Sequence, residues 1–194
     1  LMGRCARRLG DPSVLALTAT ANDEVAQENM HRLGIAAEGR IQTGTFRPNL
    51  HYGVQTFAGG ADKLAKAREL LAQWEGSGIV YVATVKTAVE LHAALSVEDE
   101  SVGLYHGRLG AAQRRAAQDA FMQGRTRLMV ATNAFGLGID KADIRFVLHY
   151  QMPASLESYY QESGRAGRDG QPAQCLVLHC RRHPMRVGRE SPRG

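Results

Sequence analysis

Residues 127–150 read RLMVATNAFGLGIDKADIRFVLHY, and this stretch decides the fold. Arg127–Ala131 and Arg145–Tyr150 are short apolar runs of strand length, separated by a loop containing Gly136, Gly138 and Asp140. Working outward, further strands are expected at Val14–Thr18, His51–Thr56, Ile79–Val82, Val102–Tyr105 and Gln174–His179. Stretches of helical period fill the gaps. They are Asn22–Leu33, Asp62–Trp74, Lys86–Leu95, Ala111–Met122 and Ser155–Ser163. Leu64, Ala67, Leu71 and Trp74 fall on one face of the second of these, and Ala88, Leu91 and Leu95 on one face of the third. Asn22 or Asp23 suits an N-cap, and Gly34 a stop. Strand and helix in alternation predict an α/β fold with a parallel sheet over about residues 51–180. Residues 39–50, with Gly39, Gly44, Pro48 and Asn49, read as a connector. The strand-helix unit before it has no sheet of its own, so it is expected to be the end of a preceding domain.

Composition narrows the class. The chain has 194 residues, 44% of them hydrophobic and only 22% charged, which excludes an intrinsically disordered protein. No apolar run is long enough to span a bilayer, and the N-terminus lacks the apolar stretch of a signal peptide. A cytoplasmic setting is expected, or a nuclear one in a eukaryote, with no membrane partner. The net charge of +5 is unevenly spread. Arg181, Arg182, Arg186, Arg189 and Arg193 against Glu190 give residues 181–194 a net +4. That segment reads as a basic, disordered tail. Cys5, Cys175 and Cys180 form no C-x-x-C pair, so reduced thiols are expected and no metal site.

Three segments carry chemistry, and all are expected at the carboxyl ends of strands, where doubly wound sheets place their sites. In the loop after Arg127–Ala131, Thr132 offers a hydroxyl, Gly136 and Gly138 permit close backbone approach, and Asp140 can accept from a ribose hydroxyl. It is not a dinucleotide fingerprint, because Lys141 stands where the third glycine belongs. The second segment, QESGRAGRDG at 161–170, sets Arg165 and Arg168 three residues apart, each after a glycine. Guanidinium forks match phosphate oxygens bidentately, and an arginine so placed contributes about 10³–10⁵ to the rate of phosphoryl transfer. The third is Thr18-Ala19-Thr20-Ala21, after the first strand. His106, in a His-Gly-Arg turn, reads as a structural hydrogen-bonder rather than a catalyst.

In this order the segments closely resemble the RecQ family of superfamily 2 DNA helicases. The resemblance is carried by LTATA at 17–21, FRPNL at 46–50, GIVYV at 78–82, LYHG at 104–107, the 131–149 block ending in IRFVLH, and the 159–170 block. It implies RecA-like lobes of the P-loop NTPase type. Residues 1–46 would close the first lobe, residues 47–180 would form the second, and 181–194 would be the tail. The family's activity is ATP-dependent, 3′–5′ unwinding of single-stranded or forked DNA, in recombination and repair. By the same resemblance, Arg165 and Arg168 would be catalytic and face the γ-phosphate. Gly138, Asp140 and Gln161 would bind ATP, with Asp140 touching the nucleotide or tying its loop to the arginine loop. Thr84, Lys86 and Thr132 would contact the DNA backbone, and Thr18, Ala19 and Thr20 would couple hydrolysis to strand movement.

ATP and Mg²⁺ are the implied ligands, held mainly by the first lobe. None of the four lysines, Lys63, Lys66, Lys86 and Lys141, follows a glycine, so the chain holds no Gly-Lys-Ser/Thr phosphate loop. A D-E-x-H box is missing as well. These residues alone are therefore expected not to hydrolyse ATP. The family's cysteine-rich zinc module has no counterpart in residues 181–194. Two other readings compete: a noncatalytic nucleic-acid-binding module, and a lobe of another superfamily 2 motor such as an RNA helicase.

Overall fold

The structure is a computed structural model that describes residues 13–18, 23–41, 46–97, 101–136 and 139–180. The chain divides into two units, residues 1–47 and 48–194. In the first, helix α1 (Asp23–Leu33) has acids in its first turn and His31 and Arg32 in its last, which suits the helix dipole. Gly34, at φ +70°, ends it. The strand expected at Val14–Thr18 is not formed. Among the described residues of this unit no other strand offers a ladder, and Leu15 and Leu17 stand 82% and 85% exposed. Asn22, the alternative N-cap, lies outside the described residues.

The second unit is built on a six-stranded sheet. Its elements run β1 (Leu50–Phe57), α2 (Gly60–Gln73), β2 (Ser77–Tyr81), α3 (Val85–Leu95), β3 (Val102–Tyr105), α4 (Ala111–Met122), β4 (Leu128–Ala131), β5 (Ile144–His149), α5 (Leu156–Ser163) and β6 (Ala173–Cys180). The strand order is β1-β6-β5-β2-β4-β3, and every pairing is parallel. Parallel strands must be bridged by crossovers, and covering both faces makes their sequences apolar throughout. β2 shows the consequence: Val80 faces one core with Leu70, Leu71, Ala88 and Leu91, while Ile79 and Tyr81 face the other with Phe121, Phe135 and Ile139.

The helices form where their local chemistry is favourable. Thr84 caps α3 by accepting from the Thr87 amide at 3.1 Å, and Ser155 caps α5 by accepting from Ser158 at 3.1 Å. Ala88, Leu91 and Leu95 are the buried residues of α3, as their spacing predicts. Leu64 and Trp74 are only partly buried, and Lys63 and Leu70 join the buried side of α2. Arg127 reaches across the amino edge and donates to the carbonyls of Leu71 and Trp74, both at 3.0 Å, closing the end of α2. No helix among the described residues is long and apolar enough to cross a membrane.

Gly78 is the tightest point in the sheet. A Cβ there would lie 1.9 Å from the fully buried ring of Phe146, itself packed on Trp74 at 5.1 Å. Gly78→Ala is therefore expected to lower unfolding stability by about 1–3 kcal/mol, the usual cost of overpacking a dense core. Urea unfolding measures this, and Phe146→Leu in the Gly78→Ala background should recover part of the loss.

Candidate functional site

The chain from 132 to 143 joins opposite edges of the sheet. It leaves β4 at the carboxyl edge and enters β5 at the amino edge, with no helix among its described residues. Phe135 and Ile139 hold it down, at 1% and 3% exposure, with Phe135 against the rings of Tyr105 and Phe121. Thr132 and Asp140 therefore belong to different edges.

The arginine turn, residues 164–170, follows α5 and precedes β6, so it lies at the amino edge and not at the carboxyl ends of strands as expected. Helix α5 is itself the crossover, and it carries the chain back down before the turn begins. The Gly167 amide donates to Ile144 O at 2.8 Å, at the start of β5. Arg145 donates to both carboxylate oxygens of Asp169, at 2.7 and 2.6 Å, and holds that carboxyl below the usual range. The Asn49 amide donates to Gly167 O and Gln171 O, both at 2.8 Å.

The two arginines are not equivalent. Arg165 Nη1 donates to Gly136 O at 2.7 Å, and a Cβ on Gly136 would come within 2.5 Å of its Nη2. Its Nε is buried, with no hydrogen-bond partner among the described residues. Beside it the Tyr81 hydroxyl donates to Phe135 O at 2.9 Å. Burial pushes that phenol well above its ordinary pKa, and the charge of Arg165 acts in the opposite direction. The His149 ring stacks on Tyr81 at 5.4 Å, with its Nε2 2.7 Å from Glu162 Oε2. Arg165 thus locks the crossing loop to the end of α5.

Arg168 instead points outward. Its Nη1 donates to Asp140 Oδ1 at 2.5 Å, with the two side chains 37% and 84% exposed. An exposed pair of this kind contributes about 0–1 kcal/mol. The contact ties one loop to the other. Gln161 lies apart on α5, where its amide donates to Glu157 at 3.4 Å.

Of the other predicted positions, Thr84 and Lys86 are exposed just after β2, at the carboxyl edge; Lys86 is 3.8 Å from Glu90. Thr132 is only 6% exposed, whereas its neighbours Asn133 and Ala134 are exposed. The Thr132 amide donates to Tyr105 O at 3.2 Å, which draws the loop under β3. His106 is 7% exposed, and its Nδ1 lacks a hydrogen-bond partner among the described residues, so the bonding expected of it is not seen at that atom. Thr18 is exposed in the first unit. Ala19, Thr20, Gly138 and the 181–194 tail lie outside the described residues. Sequence reasoning missed the supports: Asn49, Tyr81 and the Arg145–Asp169 pair. Each stands in a quoted stretch, Asn49 in FRPNL, Tyr81 in GIVYV, Arg145 in IRFVLH and Asp169 in the 159–170 block, but no local pattern marks it as a support.

The helicase conserved C-terminal domain family matches residues 62–170, a span from α2 to the end of the arginine turn. The chain belongs to this family. Its relatives include the ATP-dependent DNA helicase RecQ of Bacillus subtilis, 43% identical over 89% of this chain and 29% of that protein. RecQ of Synechocystis is 40% identical over 89% of this chain and 36% of that protein. The chain thus spans about a third of the length of these relatives. Among solved structures, Dbp5 of S. cerevisiae bound to RNA and ADP BeF3 is similar with a TM-score of 0.78, at 26% identity, covering 93% of this chain and 49% of that one. The C-terminal domain of the DEAD-box protein Dbp5 gives 0.60 at 29% identity, covering 69% and 78%. The six-stranded parallel unit is accordingly a helicase C-terminal domain of RecA-like fold, related to those of RecQ helicases.

The unequal arginines of this helicase domain give different expected costs. Arg165→Ala should destabilise the chain by about 1–3 kcal/mol, because it opens a partly buried site and removes the hydrogen bond to Gly136. Arg168→Ala should stay within about 0.5 kcal/mol of the unsubstituted chain. Chemical denaturation of the two variants, side by side, tests the distinction.

Proposed function

We propose that this domain is the second motor lobe of a RecQ-like, ATP-dependent DNA helicase that unwinds 3′ to 5′ in recombination and repair. The observation that carries the reading is Arg168, an outward guanidinium on a turn fixed by the fold and paired, among the described residues, with an exposed carboxylate. Such a group is already oriented before a phosphate arrives, and charge developing during transfer is stabilised most by donors that need not reorganise. Arg165 would act differently, by keeping the turn and the crossing loop together. Asp140 would hold Arg168 in place until the triphosphate displaces it.

In this reading a first lobe, carrying the phosphate loop and the D-E-x-H box, holds ATP, Mg²⁺ and most of the phosphate contacts. The 194 residues alone would not hydrolyse ATP, because two arginines stabilise a transition state that these residues do not assemble. Single-stranded or forked DNA would lie along the carboxyl edge, where Thr84, Lys86, Asn133 and Arg108 are exposed. DNA is preferred to RNA because the relatives named as DNA helicases reach 43% identity, against 26% for the RNA-bound neighbour.

In the intact helicase, Arg168→Ala is expected to slow DNA-stimulated ATP hydrolysis by about 10³-fold while ATP affinity falls only modestly. Single-turnover hydrolysis and equilibrium nucleotide binding give the two quantities separately. Loss of binding with normal hydrolysis per bound ATP would contradict the role given to Arg168.

A further inference from the structure

The FRPNL stretch enters none of the chemistry above, yet its Asn49 touches the arginine turn directly. Both N–H bonds of an asparagine amide are donors, and here one nitrogen serves two carbonyls, Gly167 O and Gln171 O, each at 2.8 Å. These carbonyls bracket the tip of the turn that holds Arg168, Asp169 and Gly170. Gly167 is left-handed at φ +54°, and a Cβ there would lie 2.5 Å from Asn49 Nδ2 and 2.7 Å from Gln171 O. Only glycine lets the amide come this close. The backbone of Asn49 is committed too: its carbonyl accepts from the Ala173 amide at 2.9 Å, one step before the β1–β6 ladder begins at Leu50 and Ala173. Asn49 is also the second residue after the division between the two units.

We propose that Asn49 is a positioning residue for the arginine turn, fixing Arg168 in register with the start of β1 so that hydrolysis depends on Asn49 through Arg168. The proposal rests on the functional reading above and extends it to a residue just ahead of β1. Asn49 thereby ties the start of β1 to the turn within the second unit. A shift of about 1 Å in a catalytic group costs about 10²-fold in rate, so two hydrogen bonds at the base of the turn have kinetic weight.

Asn49→Asp is the sharpest test. A carboxylate has the same size, but it only accepts, and it would face two carbonyl oxygens. In the intact helicase, the kcat of DNA-stimulated hydrolysis should fall about 10²-fold with KM for ATP held within about threefold. Asn49→Asp combined with Arg168→Ala should be no slower than Arg168→Ala alone. Independently of activity, amide hydrogen exchange on the 194-residue chain should quicken at 167–171 while β2 and β4 keep their protection. Asn49→Ala serves as the second variant, with the same pattern expected. Normal turnover in both Asn49 variants, or faster exchange throughout the sheet, would overturn the proposal in favour of a merely structural role or none. An Arg168→Ala enzyme with normal turnover would overturn the functional reading and this inference together. A crippled Arg168→Ala beside an intact Asn49→Asp would overturn this inference alone.

Discussion

Arg165 donating to Gly136 O is the contact on which the site's geometry depends. It joins the loop that crosses the sheet after β4 to the end of α5, two segments 29 residues apart in sequence. A hydrogen bond from a charged donor contributes about 1.5–3 kcal/mol, more than an exposed ion pair. It does so here because Phe135, Ile139 and Ala166 bury the surroundings, at 1%, 3% and 0% exposure. The guanidinium is thus held by packing as much as by charge, and Gly136 is small because a side chain there would strike it. With that junction fixed, Asp140 and Arg168 come within hydrogen-bonding distance, although one belongs to each loop.

The same junction explains why one loop reaches two edges of the sheet. A loop that starts at the carboxyl edge and ends at the amino edge touches both, and it is closed against Tyr105 O at one end and near the arginine turn at the other. Thr84, Lys86 and Asn133 are exposed at the first edge, Arg168 and Asp140 at the second. His149 and Tyr81, the last residues of β5 and β2, stack on each other, and His149 contacts Glu162 on the helix that leads into the turn. Among the described residues, packed elements run from one edge to the other. The elements between are packed strands and one short helix.

Much of this was legible in the sequence because it is local. The apolar spacing of Ala88, Leu91 and Leu95 marks the buried side of α3, and β3 and α4 begin and end where their patterns do. The arginine turn stood out by composition alone. Its edge of the sheet did not, because that depends on α5 serving as a crossover. The different fates of Arg165 and Arg168 were also hidden, since both follow glycine and only the fold brings Gly136 to one and Asp140 to the other. Val14–Thr18 failed for the converse reason: its composition suits a strand, but a strand exists only with a neighbour to bond. Asn49 is the same lesson at a distance of 118 residues, where no local pattern announces that an amide will meet Gly167 O.

The central claim is that the fold itself builds the turn, with Arg165 as its buried pin and Arg168 held toward solvent by Asp140. The most direct measurement is side-chain NMR of the arginine Nε–Hε groups in the 194-residue chain, without nucleotide. The buried Arg165 Nε–H should show slow solvent exchange and an order parameter near the rigid-backbone value of about 0.85, while Arg168, exposed but held by Asp140, should exchange faster and keep an order parameter above about 0.6. Two equally mobile arginines would contradict the account, because the turn would then be assembled by its ligand and not by the lobe.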